Sequence, residues 1–92
     1  MAIKLPAKGC YWDCQPKNGK VFTLEELQDI VGGYIEILYF KDGRMMVLNE
    51  EGKLKELRIN LEATRIARDN HLIFSWDYIV GTVLLVEPGE ID

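Results

Sequence analysis

Histidine occurs once, cysteine twice and proline three times in this 92-residue chain. One histidine with two thiols, Cys10 and Cys14, is too little for a four-ligand structural zinc site or a disulfide framework. The Cys-x3-Cys spacing with His71 is a weak ligand set, and two free thiols in a reducing compartment are the ordinary reading. No metal is expected. Apolar runs long enough to span a membrane are absent. Met1-Ala2-Ile3-Lys4-Leu5-Pro6 is too short and too polar for a signal peptide. A soluble, cytoplasmic protein without a membrane partner is therefore expected. A basic excess is also missing: 11 Lys and Arg stand against 15 Asp and Glu, for a net charge of −4. That balance leaves no electrostatic footprint for a nucleic-acid polymer, although a few local cations could hold a small phosphate-bearing ligand. There is no P-loop, G-x-G-x-x-G, nucleophile elbow or paired acid–base motif. The chain is read as non-enzymatic, with no cofactor.

What is present is a dense alternation of turn signals and short apolar segments. The length predicts one domain with a marginal core, burying about 60–65% of the unfolded surface. An N-terminal hairpin region is expected up to residue 22, and the core over 23–87. Ile3–Leu5 is a candidate strand, and Asn18-Gly19 predicts a hairpin between Tyr11–Gln15 and Lys20–Phe22. Thr23 with Glu26 fits a capping box. Leu24, Leu27, Ile30 and Val31 then give a helical stripe that ends at Gly32-Gly33.

Tyr34–Phe40 and Met45–Leu48 read as two strands joined by a two-residue type I′ turn at Asp42-Gly43. Both are apolar on nearly both faces, which predicts a sheet covered on both sides. Helices would supply one cover, and a second subunit the other. A further strand is expected over Leu54–Ile59 after the turn at Glu51-Gly52. Asn60 is a good N-cap for a helix from Leu61 to about Asp69. Thr82–Val86 is β-branched and apolar, a strand. The expected fold is a small α+β domain with an antiparallel or mixed sheet of about five strands and two helices, packed as a homo-oligomer.

The ordered segments V-G-G-Y-I-E, L-N-E-E-G-K-L, I-N-x-x-A-T and D-Y-I-V-G-T-V-L-L-V, spread over Phe22–Val86, carry a resemblance. The chain resembles an uncharacterised domain-of-unknown-function family of bacteriophages, plasmids and conjugative elements. That resemblance implies a mobile-element accessory protein acting in the bacterial host cytoplasm. It brings no catalytic residue, and residues 1–21 lie outside it.

Candidate ligand-binding residues come from polar and aromatic positions. Asn49 and Glu50 could read a base or ribose edge and Lys53 a phosphate, or the segment is simply a solvated turn. Asn60 caps a helix whose first amides, with Thr64, Arg58, Arg65 and Arg68, could face an anion; a solvated helix face is the alternative. Trp12 and Tyr34, with Tyr11, Trp76 and Tyr78, could stack on a base or belong to a core or interface. Gly32-Gly33 reads as a helix end rather than a ligand contact. Glu36 is either a buried acid of raised pKa or an edge residue paired with Arg44.

Two functions follow. The first is a homo-oligomer that sequesters a small nucleotide immune signal without turnover, a counter-defence sponge. The alternative is a protein–protein interaction module that inhibits a host factor.

Overall fold

The apolar run Val83–Val86 lies at the centre of a five-stranded sheet. The computed structural model describes residues 2–91. In chain order the elements are β1 (Ala2–Leu5), β2 (Trp12–Cys14), α1 (Leu24–Val31), β3 (Ile35–Tyr39), β4 (Met45–Asn49), α2 (Leu61–Asp69) and β5 (Val83–Val86). The spatial order is β2-β1-β5-β4-β3, and every pairing is antiparallel. Two helices and five strands make this the expected small α+β fold.

Helix α1 starts as its residues dictate. The Thr23 hydroxyl accepts from the Glu26 amide at 3.2 Å, and the Glu26 carboxylate accepts from the Thr23 amide. Gly32 closes the helix in the left-handed region at φ 84°. Its Leu27 and Val31 join Phe22, Val47, Leu84 and Val86 in one apolar cluster. On the opposite face, Ala63 and Ala67 of α2 pack with Leu5, Phe40, Met46, Leu48 and Val83. The two-sided apolar pattern is thus explained within one chain: α1 covers one face and α2 the other. A second subunit is not needed as the missing cover.

Three local expectations are corrected. Trp12–Cys14 does not pair with Lys20–Phe22; it pairs with β1 in the register Ala2↔Cys14. The Asn18 side chain accepts from the amides of Lys20 and Val21. That turn delivers Phe22 into the core, fully buried, with its amide on Glu90 O at 2.7 Å. At the β3–β4 connection, the Gly43 amide donates to Phe40 O and the Phe40 amide to Arg44 O. Only Gly43 has positive φ there. The connection is therefore a three-residue loop closed by a left-handed glycine, not type I′. Leu54–Ile59 is not a strand. Leu57 N–H donates to Gly52 O and Glu56 N–H to Lys53 O, with Glu56 left-handed at φ 55°. This is a single helical turn with a Schellman ending; only Ile59 is bridged, to Val80.

Candidate functional site

A cavity of about 280 Å³ opens where this turn meets the segment returning from α2 to β5. Glu36 and Leu38 of β3, Leu48 and Asn49 of β4, and Glu50, Lys53 and Leu54 of the turn line one side. Ile73 and Asp77–Val80 line the other.

Asn49 borders the cavity and anchors it from the other face of the sheet. It is 4% exposed, its amide group donates to Val31 O at 3.1 Å, and its carbonyl accepts from the Glu51 amide at 2.8 Å. The side chain so links the end of α1 to the start of the turn. It lies on the α1 face of β4 with Val47, not on the cavity face with Leu48, so the expected contact of its amide with a ligand is not made in this cavity. Thr64 and Arg68 hold the opposite wall onto α2. The Thr64 hydroxyl donates to Ile79 O at 3.3 Å and accepts from Ile79 N–H at 2.9 Å, while Arg68 Nε donates to Asp77 O at 2.9 Å. Thr64 is buried. Its role in the structure is to fix the wall.

Lys53 bridges the cavity mouth. Its ammonium forms an ion pair with Asp77 and lies 4.4 Å from the centroid of the Tyr78 ring. The hydrogen bond from Lys53 holds the Asp77 carboxyl below its ordinary value, helped by the Tyr78 amide. Glu36 and Glu50 are exposed and add two more carboxylates to the lining. Three acids against one paired lysine make the cavity anionic.

The wall also carries apolar surface. Phe74 and Trp76 stack with centroids 5.4 Å apart and planes within 8°. They are 69% and 74% exposed, and Leu54 at the cavity is 83% exposed.

The remaining candidates do not converge here. Tyr34 borders a separate groove with Gly33 and Lys55. Arg58 and Asn60 border a wide groove with Pro6 and Gly9. Asn60 is 1% exposed, and its amide group donates to the carbonyls of Leu5 and Gly81 while its oxygen caps Ala63. Arg65 is paired with Glu62 and Asp69 on the outer face of α2. Trp12 sits on the outer strand β2, with the Lys4 ammonium 5.4 Å from its ring. Glu36 is the exception, exposed on β3 at the cavity, and Arg44 pairs with Asp42 rather than with it. Among the described residues no three His, Cys, Asp or Glu side chains gather as metal ligands.

Phe74 and Asp77 were not among the sequence candidates. A signal was available: His71–Tyr78 packs Phe74, Trp76 and Tyr78 into a stretch with neither helical nor strand periodicity.

Residues 12–92 match the family described as Domain of unknown function (DUF3846). The chain belongs to this family. The DUF3846 match begins ahead of the resemblance read from the sequence and takes in Trp12 and β2. It also contains every cavity-lining residue. No curated protein and no solved structure matches the chain.

Proposed function

We propose that this DUF3846 chain is a non-catalytic interaction module that docks a basic segment of a partner protein. The observation that carries this reading is the exposed Phe74–Trp76 stack on the segment that walls an anionic cavity. Solvent-exposed aromatic surface of this kind is typical of interface hot spots, which favour Trp and Tyr at the centre and a polar rim. Glu36 and Glu50, the carboxylates not engaged by Lys53, favour Lys or Arg side chains over phosphates. In the mobile-element setting that the sequence suggests, the partner is a host factor.

Sequestration of a nucleotide is served less well by this cavity. Its one cation is already paired with Asp77, and a phosphate entering it would meet three carboxylates at close range. The groove beside Arg58 is the alternative place for such a ligand, with a guanidinium that has no acidic partner among the described residues.

Selection of random peptides on the immobilised chain tests the proposal. Basic sequences should be enriched and should lose at least tenfold in affinity for Trp76→Ala and for Glu50→Lys. Native mass spectrometry with cyclic and linear nucleotides is the counter-test. Retention of a nucleotide, with no peptide selected, overturns the docking reading.

A further inference from the structure

We infer that the open edge of β3 is a self-association site, at which a second copy of this chain adds its own β3 antiparallel across a twofold axis. The inference stands apart from the docking proposal, because it rests on the backbone of β3 and not on the cavity.

The two edges of the sheet are unequal. Strand β2 offers three residues, whereas β3 offers five, Ile35–Tyr39, with no proline, glycine or lysine among them. Natural edges are usually blunted by shortness, proline, lysine or a bulge. Strand β2 is short; β3 carries one charge, Glu36, but no proline or lysine, and pairs with β4 without a bulge from Ile35↔Asn49 to Tyr39↔Met45.

Which backbone groups face outward follows from the ladder. Phe40 N–H donates to Arg44 O, and Glu50 N–H donates to Tyr34 O. Even-numbered residues of β3 therefore point their backbone groups at β4. In an antiparallel strand the alternate residues point the other way. Ile35, Ile37 and Tyr39 thus present both N–H and C=O to the open edge.

That edge is self-complementary about Ile37. Pairing Ile37 with its copy sets Ile35 opposite Tyr39 of the second chain, and Glu36 opposite Leu38. All three outward residues then exchange both backbone bonds. No charge sits directly across from a like charge. Tyr39, 68% exposed, gains a β-branched partner, a favourable cross-strand pair. Ile35 and Ile37, only half-buried beneath α1, gain cover along the same row. The axis runs perpendicular to the sheet, so the assembly closes as a dimer, with the short β2 strands left at its ends. Both cavities then open on one face, flanking the seam through Glu36 and Leu38 of each copy.

Sedimentation equilibrium across a wide concentration range, combined with residue-resolved amide exchange, tests this. The expected result is a dimer in which the amides of Ile35, Ile37 and Tyr39 gain protection as concentration rises. Those of Glu36 and Leu38 should be protected throughout. Tyr39→Pro removes an outward N–H and leaves the β4 ladder intact, so it should weaken dimerisation at least tenfold with the melting transition retained. Tyr39→Lys, should the proline variant not fold, applies the charged-edge device to the same end. A chain that stays monomeric at millimolar concentration overturns the inference. So does a dimer whose Ile35, Ile37 and Tyr39 amides exchange as in the monomer.

Discussion

The Asn60 side-chain amide donates to the carbonyl of Leu5, 55 residues away in sequence, at a distance of 3.0 Å. The same group reaches Gly81 O at 2.8 Å, and its oxygen caps α2 through the Ala63 amide. One buried side chain so joins the ends of β1 and the β5 approach to the start of α2. Asn60→Ala removes the cap and strands two buried carbonyls, and should cost about 3 kcal/mol or more. Asn60→Asp keeps the cap but turns a carboxylate on two carbonyl oxygens, and should be no milder. Urea unfolding of both variants checks this; a near-neutral Asn60→Asp would show that only the cap matters.

Asp77 makes stability depend on acid. Its carboxyl is held below the ordinary value of 3.8 by the Lys53 hydrogen bond, then by the Tyr78 amide. A lowered folded-state pKa gives a contribution that is complete above the unfolded value and is lost as pH falls through the folded one. The wild-type chain should therefore lose this increment only below about pH 4, and Asp77→Asn should flatten that part of the curve. Lys53 is half-exposed, so the ion pair should contribute no more than about 1 kcal/mol. Thermal melts from pH 2.5 to 7 measure it.

Gly52 is constrained by space. A Cβ there would lie 2.6 Å from Val80 Cγ2 and 3.5 Å from Leu57 Cδ1. Gly52→Ala should cost about 1–3 kcal/mol through this overlap. Combining it with Val80→Ala should recover part of the loss, which a double-mutant cycle reads directly. Gly32 is the contrasting case: nothing lies within 4 Å, and any penalty of Gly32→Ala comes from its φ of 84°.

Glu26 serves two segments at once. One carboxylate oxygen closes the α1 capping box, and the other accepts from the Lys17 amide at 2.9 Å. Glu26→Ala should destabilise the chain by about 1–2 kcal/mol. It should also speed amide exchange and tryptic cleavage at Lys17, while exchange at Lys53 is unchanged.

Elements set by local chemistry were legible in the sequence. Thr23 with Glu26, the glycine after Val31 and the Asn60 cap each act within a few residues, and both helices stand where those signals put them. Turn residues announced bends but not which strands they serve. Asn18-Gly19 does make a turn, yet β2 finds its partner in β1, a choice made by tertiary packing. Leu54 and Leu57 suggested a strand, but Leu54 ended 83% exposed on a helical turn. The cavity was half readable: Asn49, Glu50 and Lys53 fall within one short segment, whereas Lys53 meets Asp77 across 24 residues. No local pattern encodes that meeting.

Met46 and Val47 are both 0% exposed, yet they belong to opposite cores. Strand β4 is a party wall, apolar on each side. A slip of one residue would exchange methionine and leucine for valine across it, apolar for apolar, so hydrophobicity alone barely opposes the error. Opposition comes from Asn49. A slip would pull its amide off Val31 O and turn it into the α2-side core without a partner, at a cost of about 1–3 kcal/mol. Alignment of the wall thus hangs on one polar side chain at the strand's end. Misfolding of this chain should take the form of a displaced β4 with both cores still filled.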